Sequence, residues 1–167
     1  MTTNTQRLAF LLSFIFILTV AAVYLFIAVS IVPYWQDLSG VEIQAWFVGP
    51  FVRFSYMMIV VHLMSIGMTI WAFVLHRRAH PQFRALWLVA LVTLLVCQAF
   101  NFTLFGGNYN LALQSGALEP DVALQTLDNW DFFHKIRTAS VCVSAVVMAL
   151  IFMRSTEEAA GRVETTD

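Results

Sequence analysis

Three side chains able to carry charge or a proton interrupt otherwise apolar stretches of this sequence: His62, His134 and Arg137. Trp130, His134 and Arg137 are spaced i, i+4, i+7, which at about 100° per residue puts them on one helix face. Asp131 and Lys135 repeat the i, i+4 spacing about 100° further round, where each can satisfy the other at a water interface. Arg137 has no acid within a turn below it, and no acid lies in any of the apolar stretches. A guanidinium keeps its charge at any accessible pH. Arg137 must therefore snorkel up to Asp131 or a loop carboxylate, or meet an anion.

The elements that position these groups follow from composition. Of 167 residues, 60% are hydrophobic and 11% charged, and the mean hydropathy is +0.77. A water-soluble domain carries about a quarter charged residues, so this chain lacks the charge to solvate a globule. The net charge of −1, with nine Lys and Arg, excludes a nucleic-acid binder. Two cysteines exclude a disulfide-dense scaffold and a four-thiolate zinc site. The expected fold class is all-α, an integral membrane four-helix bundle.

A span needs about 20 apolar residues. Four spans are expected, at 8–32, 54–75, 85–105 and 130–153, in one domain (1–153) with a polar cytoplasmic tail (154–167) that frays after Arg154. The first apolar run could be a signal peptide, with Arg7 as its positive end, but it is much longer than a typical signal core of about 7–15 residues, so a retained helix is expected. Pro33 is expected to stop the first helix, Gly49-Pro50 to break the chain before the second, and Gly106-Gly107 to end the third. Glu119-Pro120 reads as a helix start that runs unbroken through Trp130. Arg77, Arg78 and Arg84 fill the short second loop, while Asp37, Glu42, Glu119, Asp121 and Asp128 fill the long ones. Positive charge stays inside. The bundle is therefore expected to be up-down antiparallel with both termini cytoplasmic, in a plasma or inner membrane.

At about 1.5 Å rise per residue, His62 and Tyr24 each fall about 12 Å below the outer ends of their helices, and Gln98 and Asn101 about 10 and 6 Å below theirs. His134 and Arg137 lie in the first outer turns of the fourth span, with Asn108 and Asn110 just above. These groups lie at similar heights, in the outer half of the bundle. A polar cavity opening outward is one reading, because polar groups in lipid turn toward protein or water. Interhelical glue is the other for Gln98 and Asn101, and a hydrogen-bonded core histidine for His62.

Metal readings are weaker. Met57, Met58, Met64 and Met68 fall on mixed faces, which fits packing rather than copper ligation. His62 and His134 differ in depth by about two turns, which disfavours a shared haem iron. Cys97 and Cys142 lack a Cys-x-x-Cys spacing and read as small buried hydrophobes. No metal and no cofactor is expected.

Asn108-Tyr109-Asn110-Leu111, a short acidic loop, and Trp130-Asp131-Phe132-Phe133-His134-Lys135-Ile136-Arg137 together resemble the anthrone oxygenase-like family of small membrane proteins. That family has four spans, an N-x-x-L element ending the third and a W-x-x-x-H/N-x-x-R element opening the fourth. The resemblance covers Phe100 to Met153 by motif and the rest by hydropathy. Gly106 stands where relatives often carry Pro, and the first helix lacks their acidic residue. The resemblance implies a cofactor-independent oxygenase that converts an anthrone to an anthraquinone through a carbanion that reduces O2. It implies His134 as base or orienting group, Arg137 as anion stabiliser, Trp130 as a ring-stacking wall and Asn108 as a hydrogen-bond partner. His62 joins the catalytic candidates, and Asn101, Gln98 and Tyr24 the substrate-binding ones, from depth alone.

Three classes of function stand side by side. One is an enzyme acting on a lipophilic aromatic or quinone-like substrate, whose cavity must admit a ring system. The second is an accessory subunit of a larger membrane complex, or a homo-oligomer, with an apolar flank covered by its partner. The third is a binding or transport module, although a transporter more often shows broken helices or a mid-membrane carboxylate.

Overall fold

The computed structural model describes residues 4–102 and 109–164, with side chains to 157. Among them there is no strand. Helix α1 (Asn4–Phe26) leads through a widened π turn (Ile27–Ile31) into α2 (Val32–Gln36), followed by α3 (Gly40–Val48), α4 (Pro50–Ala79), α5 (Arg84–Phe102), α6 (Tyr109–Gln114) and α7 (Pro120–Glu164). Four of these helical stretches are long and apolar enough to cross a membrane: Asn4–Gln36, Pro50–Ala79, Pro81–Phe102 and Pro120–Glu157.

Polar side chains are buried within an otherwise apolar core, and the exterior of the spans is apolar. The buried face of α4 carries Ser55, His62, Ser65, Thr69 and His76, while Tyr56, Val60 and Leu63 point outward. On α1 and α5 the exposed residues include Leu11, Ile15, Val92 and Leu95. Water would not tolerate that exterior, and a bilayer requires it. The chain is a multi-pass integral membrane protein.

Cross-helix hydroxyl and amide contacts hold the interior. Ser13 meets Thr69 at 2.8 Å and Gln6 Nε2 donates to Leu75 O at 2.8 Å, joining α1 to α4. Thr93 meets Ser144 at 2.5 Å and Ser144 donates to Ala90 O at 3.1 Å, joining α5 to α7. Around the bundle, α1 packs on α4 and α7, and α5 packs on α7 and α4.

Several sequence expectations are corrected. Pro33 does not stop the first helix. The π turn just before it, in which Val32 N–H donates to Ile27 O five residues back, takes up the proline, and the helix reaches Gln36. The first long loop contains α3, started by a capping box: Ser39 Oγ accepts from Glu42 N–H, and Glu42 Oε2 accepts from Ser39 N–H. The chain past Arg154 is helical through Glu164 rather than frayed. Gly49-Pro50 does separate two helices, and α7 runs unbroken from Pro120 through Trp130. Gly106 and Gly107 lie outside the described residues.

Helices α2, α3 and α6 cap one end of the bundle. Gln44 on α3 grips Leu118 from both sides, Nε2 donating to Leu118 O at 2.9 Å and Oε1 accepting from Leu118 N–H at 2.8 Å. Gly40 allows this approach, since a Cβ there would lie 2.2 Å from Pro120 O. Gly116, at φ +66°, makes the turn after α6.

Candidate functional site

Beneath the cap, the one-face spacing of Trp130, His134 and Arg137 on α7 is realised, and all three are buried. Asp131 and Lys135, round the helix, form an ion pair at 2.5 Å. Arg137 does not snorkel. It is 2% exposed, and among the described residues no carboxylate lies within ion-pair distance of it. Its partners are neutral. Nε donates to His134 Nδ1 at 2.9 Å and Nη1 donates to Asn101 Oδ1 at 2.7 Å. The guanidinium carbon lies 4.6 Å from the Tyr24 ring centre and 5.1 Å from that of Trp130. Ring faces stabilise the cation but do not neutralise it.

The surrounding side chains fix this cation. Asn101 Oδ1 also accepts from Tyr24 Oη at 2.9 Å, and Asn101 Nδ2 donates to Gln98 Oε1 at 3.3 Å. Trp130 Nε1 donates to Asn110 Oδ1 at 2.6 Å, and its ring stacks on His134 with centres 4.8 Å apart. His134 Nε2 faces Tyr24 O at 3.1 Å. A carbonyl only accepts and an arginine Nε only donates. The imidazole is therefore the neutral Nε2–H tautomer, with both nitrogens engaged.

His62 reaches the cluster through Tyr24. Their rings stack with centres 6.4 Å apart, and His62 Nε2 lies 3.4 Å from Leu94 O. Tyr24 thus touches both histidines and the arginine. The structure brings together Tyr24, His62, Gln98, Asn101, Trp130, His134 and Arg137. Asn108 lies outside the described residues. Among the described residues no group of three His, Cys, Asp or Glu side chains is placed to hold a metal ion.

Above the cluster, Trp35, Phe47 and Phe51 join Trp130 in an aromatic box with ring centres 4.6 to 6.0 Å apart. This box ties α2, α3, α4 and α7 together over the arginine.

One part of the site escaped sequence reasoning. Arg137 also lines a narrow opening between α1 and α4, walled by Tyr24, Ile27, Phe51, Phe54, Ser55 and Met58. It has room for about one water molecule, far less than a ring system needs. Ser55 lies seven residues before His62, two turns along the same helix face, and that spacing was the available signal.

No protein-family model, curated protein or solved structure matches the chain.

Proposed function

We propose that this protein binds a lipophilic small molecule within the membrane through an anionic or strongly electron-rich oxygen held by Arg137. The observation that carries this reading is the buried guanidinium whose described partners are all neutral. A charge removed from water without a counter-charge is costly. The rings of Tyr24 and Trp130, with Asn101 and His134, hold its plane fixed in advance of a ligand, and such preorganisation favours tight binding of an oxyanion.

The finer reading is anthrone oxygenase-like turnover, which requires the helices to part around the substrate ring, since the opening at Arg137 holds about one water. An anthrone loses a proton to give an anion whose charge rests on its oxygen, and Arg137 stabilises that oxygen. The carbanion form reduces O2, one oxygen atom becoming the new quinone carbonyl and the other leaving as water with the two hydrogens of the original CH2. His134 is the orienting group in this scheme, since Arg137 and Tyr24 O engage its two nitrogens. His62 stays close behind Tyr24. Asn108 completes the ligand set in the family pattern.

The site also sits within a proposed topology. The cross-helix pairs and the arginines of the second loop support an up-down bundle with both termini cytoplasmic, in a plasma or bacterial-type inner membrane.

The test uses purified protein in lipid nanodiscs. Addition of a hydroxyanthraquinone should quench tryptophan fluorescence saturably, and anthrone in air should convert to anthraquinone faster than with empty nanodiscs. Binding lost in Arg137→Lys supports the site. Absence of saturable binding in the native protein overturns it, while binding without turnover leaves a binding module rather than an enzyme.

A further inference from the structure

Ser55 behaves unlike the other buried Ser and Thr hydroxyls described in this bundle, each of which has a hydrogen-bond partner. In an apolar helix a Ser or Thr side chain normally bonds back to a carbonyl one turn earlier. Thr19 does so to Ile15 O, Ser65 to His62 O, Thr69 to Ser65 O, Thr93 to Val89 O and Thr138 to His134 O. The Ser55 hydroxyl is buried, 3% exposed, and has no hydrogen-bond partner among the described residues, although the Phe51 carbonyl lies one turn behind it. A buried hydroxyl left unpaired costs about 1–3 kcal/mol.

Ser55 and Arg137 line the same narrow opening. The opening lies where α1 meets α4, which are adjacent in the bundle. One wall is Tyr24 of α1 with Ile27, the first residue of the π turn. Its other walls are Phe51, Phe54 and Met58. Phe54 is the partly exposed residue among them.

We propose that Ser55 and Arg137 form a two-point oxygen site, served sideways from the bilayer through the seam between α1 and α4. The proposal rests on the reading of Arg137 as an oxyanion binder and adds how the ligand is held and from where. The volume sets the ligand's shape. A space for about one water fits a single oxygen at the edge of a molecule, not its ring. The ligand class is therefore a lipophilic phenol or enol with a peripheral oxygen. Its apolar body stays outside the opening, against the partly exposed Phe54 at the seam. Its oxygen accepts from the Arg137 guanidinium and from the Ser55 hydroxyl.

The experiment uses a photoactivatable alkylphenol on the full chain in nanodiscs, with affinity measured by tryptophan quenching and labelled residues mapped by mass spectrometry. Native protein should label at Phe54, the partly exposed residue of the opening. Ser55→Ala removes an unpaired hydroxyl, so it should insert normally while weakening phenol affinity about five- to tenfold. Phe54→Trp should narrow the seam and slow association without moving Ser55 or Arg137. Unchanged affinity in Ser55→Ala, or labelling confined to the capped end, overturns the two-point seam site and leaves a resident water as the partner of Ser55. Loss of binding in Arg137→Lys alongside unchanged Ser55→Ala would keep the arginine reading and reject this one. No binding by native protein would reject both.

Discussion

Arg137 Nε donates to His134 Nδ1 at 2.9 Å, within one turn of the same helix, and the far nitrogen of that ring faces Tyr24 O. The contact binds the fate of the two residues. While it lasts, His134 has no lone pair to offer a substrate proton, and the guanidinium is held at a fixed angle by the imidazole. A histidine that would serve as a base in isolation becomes the support of a cation.

The tautomer is the first prediction. Histidine-labelled protein studied by NMR at neutral pH should show the His134 proton on Nε2, because Nδ1 accepts from Arg137. His134→Gln should preserve part of the support, since its amide oxygen can accept from Arg137. A resonance pattern for the Nδ1–H form would break the pairing and return His134 to the candidate bases.

The cap should be separable from the spans. Gln44→Leu leaves both Leu118 N–H and Leu118 O without their partner, at a cost of about 1–3 kcal/mol to local stability. Gly40→Ala sets a methyl against the Pro120 backbone and should push α3 away from the start of α7. Both variants should show faster hydrogen exchange in α3 with α4 and α5 unaffected. Equal exchange in native and variant chains would mean that the latch adds nothing.

Glu42 supplies a pH dependence outside the spans. Hydrogen bonds from the Ser39 hydroxyl and then the Ser39 backbone N–H hold its carboxylate below the usual range. A depressed folded pKa means that the added stability is present above the ordinary carboxylate pKa and is lost as pH falls through the folded value. Hydrogen exchange in the first turn of α3 should therefore accelerate on acidification, after correction for intrinsic rates. Glu42→Gln should flatten that response. A native profile already flat would show that the charge on Glu42 plays no part in starting α3.

Much of this arrangement was legible in the sequence because a bilayer simplifies the problem. Apolar length marks the spans, and a 3.6-residue period puts Trp130, His134 and Arg137 on one face. Matching depths named Tyr24, Gln98 and Asn101, and the three meet as a chain of hydrogen bonds. What stayed hidden depends on local chemistry with a weaker pattern. The Ser39-x-x-Glu42 capping box announced α3 but stood inside a segment read as loop. Pro33 signals a break in most helices, and only the π turn shows how it was absorbed. Ser55 is unremarkable by type, and its interest arises from a bond it does not make.

Sidedness gives the next prediction, argued from the basic second loop. A cysteine at Arg78 should react on intact cells only with a membrane-permeant thiol reagent, and one at Ser115 with an impermeant reagent as well. Labelling of position 78 by the impermeant reagent would invert the bundle and put the capped site on the cytoplasmic face.

The last prediction separates an arginine kept for binding from one kept for folding. A buried charge with a matched acid is missed badly when removed, by about 3–5 kcal/mol, because its partner is stranded. The described contacts of Arg137 strand no charge. Arg137→Met would fill much the same space, release the desolvation cost of the cation, and leave Asn101 Oδ1 still accepting from Tyr24. His134 Nδ1 would lose its donor, at about 1–3 kcal/mol. The two effects oppose each other, so thermal unfolding in detergent should shift little for Arg137→Met, while ligand binding should vanish. Arg137→Lys keeps the charge but cannot reach Nδ1 of His134 and Oδ1 of Asn101 with a planar fork between two rings. It should insert at normal abundance and bind at least tenfold more weakly. A Met variant that fails to accumulate in membranes while the Lys variant binds as tightly as native protein would make Arg137 a structural cation, and the oxyanion site would fall with it.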